Sequence, residues 1–217
     1  MRDRTRQKIA ELIERYPVLA VCRADIEAAA VALCRTFAAG NKLLVCGNGG
    51  SAADAEHIVG ELMKGFLKPR RLSSAMGEKL RAAFPETGAY LYENLQGALP
   101  AISLVNAVAL TTAFANDQAP DLTMAQQVLG LGQAGDALLG ISTSGNSANV
   151  LYATQVARVQ GLTAIALTGE RGGKLKDIAD ITIRVPARET FKIQEYHLPV
   201  YHALCIAAEE EFFGREG

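Results

Sequence analysis

Leu43-Leu44-Val45-Cys46-Gly47-Asn48-Gly49-Gly50-Ser51-Ala52-Ala53-Asp54-Ala55-Glu56-His57-Ile58-Val59-Gly60-Glu61 runs from an apolar stretch through a glycine-rich loop into a series of good helix formers. The first three residues read as a buried parallel strand, and Ser51 reads as the N-cap of the helix that follows. A strand, a glycine loop and a helix N-terminus in that order make an anion site, because backbone N–H groups and the positive end of the helix dipole face the same spot. His57 and Glu61 are four residues apart, which stacks them on one helix face about 6 Å from each other. One segment thus joins a polar cradle to a pair suited to base or metal-ligand duty.

Outward from this segment, apolar runs of strand length recur at 42–46, 101–104, 137–141, 163–167 and 181–185, with helical stretches between them. The runs are continuous rather than alternating, which predicts strands covered on both faces and hence a parallel α/β sheet. Two helices precede the sheet, at 2–15 and 23–39, split by Tyr16-Pro17, and a last helix runs from about 189 to 213. With no repeat and no low-complexity linker, residues 1–217 are expected to form one domain, with 1–40 as N-terminal helices. Residues 64–99 stand apart. They hold Pro69, Pro85 and Gly88 and two short amphipathic pieces, near 72–83 and 89–95. Helix-to-strand connections usually take about 2–6 residues, so this insertion is expected to cover a site or form an interface.

The composition narrows the class. A net charge of −1 over 217 residues argues against a nucleic-acid binder. The basic run at 68–71 is of the kind that usually marks a solvated face. No signal peptide and no membrane span is expected. Cys22, Cys34, Cys46 and Cys205 lack CxxC spacing and read as reduced, buried thiols of a cytoplasmic protein.

A second loop, Ser142-Thr143-Ser144-Gly145-Asn146-Ser147, closes the strand at 137–141 and leads into a helix. Hydroxyls replace the glycines of the first loop. Together with backbone N–H groups and a helix dipole they can surround a phosphate without Arg or Lys. Open parallel sheets bind ligands outside the carboxyl ends of their strands, where the strand order reverses, and both loops lie at such ends. This makes 142–147 the better phosphate site.

The ordered motifs 46–51, Ala55-Glu56-His57, Glu61, Ala115-Asn116-Asp117, 140–149, Arg184-Val185-Pro186 and Ile193-Gln194-Glu195, with His197 and His202, resemble the sugar isomerase (SIS) domain family, and within it the phosphoheptose isomerases. The resemblance covers most of the chain except 64–99. It implies a flavodoxin-like three-layer sandwich with a five-stranded parallel sheet, and a homotetramer with active sites between subunits. It also implies roles. Asn48, Gly49, Gly50, Asn116 and Asp117 would hold hydroxyls. Ser142, Thr143, Ser144 and Ser147 would hold the phosphate, with Ser51 nearby. Zinc would sit on His57, Glu61, Gln194 and His202, with Gln194 also facing the substrate. Glu61 would be the catalytic base and His202 the opposing acid/base.

The expected reaction is aldose–ketose isomerisation of a sugar phosphate, D-sedoheptulose 7-phosphate first, through an enediol. A carboxylate suits proton abstraction beside a carbonyl when burial raises its pKa, and an imidazole suits the proton shuttle between the two oxygens. Gln194 and His202 are eight residues apart, ~12 Å along an ideal helix, and Pro199 between them removes the bond to the Glu195 carbonyl, so a kink is expected. Three alternatives stay open: a non-catalytic relative of the DiaA type, which binds the replication initiator; a sugar-phosphate sensor; and an isomerase of another sugar phosphate. The blander readings are an ordinary i,i+4 surface pair for His57 with Glu61, and a satisfied or exposed helix residue for His197.

Overall fold

The computed structural model describes residues 1–214; the last three residues of the expected 1–217 unit lie outside the described residues. Its centre is a five-stranded, all-parallel sheet in the order β2-β1-β3-β4-β5. The strands are β1 (Leu43–Gly47), β2 (Ala101–Ser103), β3 (Ala137–Ile141), β4 (Thr163–Gly169) and β5 (Ile181–Val185). Every residue of β1 and β3 is buried, which is why they read as unbroken apolar runs. The edge strands β2 and β5 are partly exposed.

Alternate side chains of each strand feed two separate cores, as the period of two in a strand requires. Leu43, Val45, Leu139, Ile141, Ile165, Leu167, Ile183 and Val185 face one layer of helices. That layer contains α1 (Asp3–Arg15), α2 (Arg23–Ala38), α3 (Gly50–Met63) and α10 (Thr190–Phe213). Leu44, Cys46, Leu138 and Ala166 face the other layer, where Met124, Val128, Val150, Ala153 and Leu175 close the core. Those five belong to α7 (Thr123–Leu131), α8 (Ala148–Val159) and α9 (Leu175–Ile178). The result is the three-layer sandwich that the sequence implied, with the extra N-terminal helices laid on the α10 side. Thr5 donates to Glu211 (2.6 Å) and Phe37 meets Phe212 edge-on, which ties α1 and α2 to the end of α10.

Two details differ from the expected boundaries. The N-cap of α3 is Gly49, with φ +56°, and Ser51 sits buried inside the first turn. The left-handed backbone at Gly49 starts the helix earlier than a serine cap would, and the conformation favours glycine there. Pro199 is accommodated inside α10, which runs on through it, and it is buried there. No helix of the described residues is long and apolar enough to cross a membrane. The four cysteines are free and buried, and burial pushes the Cys46 and Cys205 thiols up to about 12.

The insertion resolves into two helices, α4 (Ser74–Ala83) and α5 (Gly88–Asn94), packed on each other. Ser73 caps α4 by accepting from the Met76 N–H, and Gly77 lies against the Tyr92 ring. The hairpin leaves and rejoins the body through a neck. There Gly97 N–H donates to the Arg70 carbonyl (2.7 Å), and Gly65 N–H donates to the Gln96 side chain (2.6 Å).

His197, on α10, is fully buried, and neither ring nitrogen has a hydrogen-bond partner. Burial pushes its pKa down to about 4, against a smaller upward pull from the Thr168 backbone. The unfolded chain therefore binds a proton near pH 6.5 that the folded chain refuses until about pH 4. Stability is unaffected by this group above 6.5 and falls between 6.5 and 4, by about 3 kcal/mol in all. Urea titrations across that range should show the loss, and H197L should flatten it. An unchanged slope in H197L would place the acid sensitivity elsewhere.

Candidate functional site

The strand order reverses between β1 and β3: the chain leaves β1 toward β2 on one side and returns to β3 on the other. The two strands pair in register, Leu43 with Ala137 through to Gly47 with Ile141, so they end at the same height. The loops that follow are therefore neighbours. Asn48 and Asn149 join them by two reciprocal amide bonds of 2.9 and 2.8 Å. At the opposite end of the same pair, buried Asp136 accepts from the Lys42 backbone N–H and ammonium and from the Gln133 N–H.

The serine loop is preformed. The Ser142 and Ser147 hydroxyls lie 3.0 Å apart, and Ser144 accepts from the Asn146 N–H. Gly145 has φ +67°, and a Cβ there would collide with the Gly172 carbonyl, so only glycine closes this loop against the turn after β4. Asn146 pins the same turn by accepting from the Lys174 N–H (3.0 Å). Ser147 is the N-cap residue of α8, whose first-turn N–H groups open toward the loop. Neutral hydroxyls, backbone donors and a helix N-terminus together suit an oxyanion with several oxygens.

The reactive side chains come from α3 and α10. His57 and Glu61 share a face of α3, with Nε2 and Oε1 3.3 Å apart. The other Glu61 oxygen is 3.2 Å from the Lys64 ammonium. His202, on α10, packs edge-on against His57 (centroids 5.0 Å) and against Phe66 (5.4 Å). Its Nε2 is buried without a partner, and burial followed by the His57 charge pushes its pKa down. A neutral imidazole with an unused nitrogen beside a carboxylate can accept a proton or a metal ion.

Gln194 meets the first loop instead. Its amide lies so close to Gly50 that any side chain at that position would displace it. Two imidazoles and a carboxylate are donors that suit zinc, and the unpaired His202 Nε2 fits that use. Among the described residues, however, no three His, Cys, Asp or Glu side chains form a preassembled ligand set. Asn116 and Asp117 end α6 (Val108–Asp117), where they are exposed and bonded to each other at 2.9 Å. Among the described residues no hydrogen bond ties them to either loop.

Several residues of the site were not singled out from the sequence. Asn149 locks the two loops. Tyr201 contacts His57 and in turn meets Asp54, and Arg70 and Glu209 hold the end of α3. Arg70 donates to the carbonyls of Glu61 (3.0 Å) and Leu62 (2.6 Å), the orphan acceptors at the helix terminus. Glu209 takes the Arg70 Nε–H (2.9 Å) and the N–H groups of Phe66, Leu67 and Lys68. Both side chains are buried. The local signal was the 68–71 basic run, whose first arginine, Arg70, faces inward rather than to solvent.

The family model of the SIS domain matches residues 6–77 and 81–169. The chain is 35% identical to a phosphoheptose isomerase of Akkermansia muciniphila, over 99% of this chain and 100% of that one. Among solved structures it is similar to a phosphoheptose isomerase from Francisella tularensis, with a TM-score of 0.74 and 31% identity over 96% of this chain and 97% of that one. It is also similar to phosphoheptose isomerase GmhA from Neisseria gonorrhoeae, with a TM-score of 0.70 and 34% identity over 92% and 94%.

The Arg70–Glu209 pair yields a direct check on the neck. Removing one partner of a fully buried, hydrogen-bonded ion pair costs about 3–5 kcal/mol. Denaturant unfolding of E209A should show a loss of that size. A loss below about 1 kcal/mol, the range of an exposed pair, would contradict the buried clamp.

Proposed function

The chain belongs to the SIS-domain family, and from that membership we propose that it is a phosphoheptose isomerase, converting D-sedoheptulose 7-phosphate to D-glycero-D-manno-heptose 7-phosphate through an enediol. The relatives alike over nearly its whole length bear that activity in their names. The observation that carries the reading is that the hydroxyl loop follows β3 at the switch point while the neighbouring loop after β1 starts α3, the helix that carries the His57–Glu61 pair to His202.

In this reading the serine loop and the N-terminus of α8 hold the phosphate. Asn48, Gly49 and Gly50, with Gln194 behind them, orient the hydroxyls at the carbonyl end. Glu61 takes the proton from C1 of the ketose, His202 carries the O1 proton across to the C2 oxygen through the enediol stage, and the proton held on Glu61 returns to C2, leaving the aldehyde at C1. Ser51, buried beneath the first loop, supports its backbone.

His57, Glu61 and His202 are the residues that would hold zinc, with Gln194 of α10 as the fourth. Bound there, the metal would polarise the carbonyl oxygen. A homotetramer belongs to the same proposal. Helix α6 is largely apolar yet has no buried residue, with Val108 69% exposed, and it ends in Asn116 and Asp117. A neighbouring subunit on this face would bring those two residues to a site. Free, buried cysteines suit a reducing cytoplasmic setting.

E61Q should lower kcat by about 10²–10⁴-fold, the range of general acid–base catalysis, while ligand binding persists. Full activity in E61Q would refute the base assignment. Faster turnover of fructose, arabinose or ribulose phosphates than of the heptulose would reassign the substrate. Native mass spectrometry of the purified protein should show a four-subunit mass carrying one zinc per subunit. A metal-free monomer with full activity would remove both the metal and the assembly from the account.

A further inference from the structure

The two ring nitrogens of His57 have different neighbours. Nε2 faces Glu61 Oε1 at 3.3 Å, and Nδ1 lies 2.9 Å from the Tyr201 hydroxyl. That hydroxyl donates to Asp54 Oδ1 at 3.3 Å. Asp54 and His57 are on α3 and Tyr201 is on α10, so the contact crosses between the two helices that carry the site. The Tyr201 side chain is buried.

A phenol has one proton to give. An ionised carboxylate accepts and cannot donate, so the Tyr201 proton goes to Asp54 and its oxygen is left to accept from His57. That requires the His57 proton on Nδ1. Nε2 then keeps its lone pair, aimed at the space shared by Glu61 and His202. With no acceptor at Nδ1, the ring would instead place its proton on Nε2, where it would donate to Glu61 and occupy the carboxylate that the isomerisation uses.

We propose that Tyr201, backed by Asp54, is a positioning residue that fixes His57 in its Nδ1–H tautomer and leaves Nε2 free at the reacting end of the site. The functional consequence rests on the isomerase reading; the geometry does not. Edge-on packing of the His57 ring on Tyr201 (5.5 Å) and His202 (5.0 Å) limits its rotation. Outer partners of this kind fix a histidine's tautomer, and their loss typically costs about 10–100-fold in metal affinity or activity.

The test is nitrogen-15 histidine NMR of the metal-free full chain at neutral pH, with the His57 signals identified by their loss in H57N. The expected result is a protonated Nδ1 and an unprotonated Nε2 in the wild type. Y201F should move the signals toward the Nε2–H form. D54L should do the same with the phenol retained, because the Tyr201 proton then turns to Nδ1. Titration with zinc should show affinity about 10-fold weaker in Y201F, and kcat should fall about 10-fold at nearly unchanged KM. A wild-type His57 protonated on Nε2, or identical His57 signals in wild type and Y201F, would overturn the inference. A wild type protonated on Nδ1, with Y201F shifted as expected, that does not isomerise the heptulose phosphate would sink the isomerase reading and leave this one standing.

Discussion

The in-register pairing of β1 with β3 is the constraint on which the site depends. These strands are adjacent in space but separated in sequence by an entire excursion through α3 to α7. Asp136 locks the start of the pair by taking three donors from Lys42 and Gln133. The Asn48–Asn149 amide exchange locks the other end. A slip of one residue would turn every side chain to the opposite layer and exchange the two cores. It would also separate the two loops in height. The side chains that touch neither sugar nor phosphate therefore decide whether the ones that do can meet.

From that pair the remaining geometry follows by short links. Helix α3 begins at the first loop and runs one face past His57 and Glu61. Its far end is closed by Arg70, which in turn is held by Glu209 on α10. The same α10 delivers Gln194 to the first loop and His202 to His57. The hydroxyl loop after β3 is braced from behind by the turn after β4, through Gly145 packed on Gly172. Each arm of the site thus leans on an element that is itself part of the core, so the groups are arranged before any ligand arrives.

Much of this was legible in the chain. The buried strands announced themselves as continuous apolar runs, and the two loops were recognisable because their residue types are unusual at strand ends. The two helices of the insertion also fell close to the amphipathic pieces at 72–83 and 89–95. What was not legible depended on contacts distant in sequence. Arg70 and Glu209 are 139 residues apart, and nothing local distinguishes an inward arginine in a basic run from its solvated neighbours. Tyr201 beside His202 reads as ordinary core until α10 is laid against α3. The α3 cap shifted from Ser51 to Gly49 because a positive φ at the glycine, which no propensity at Ser51 reveals, decides where the helix starts. The α6 residues Asn116 and Asp117 carry a family motif, but among the described residues no hydrogen bond ties them to either loop.

The central claim is that Glu61 moves a proton between neighbouring carbons of a heptulose phosphate through an enediol. Isomerisation of D-sedoheptulose 7-phosphate in deuterated water, followed by NMR of the product, tests it most directly. The enediol route predicts aldose product carrying solvent deuterium at C2, since the abstracted proton can exchange before it is returned. Aldose product with no deuterium at C2, or no aldose product at all, would contradict it.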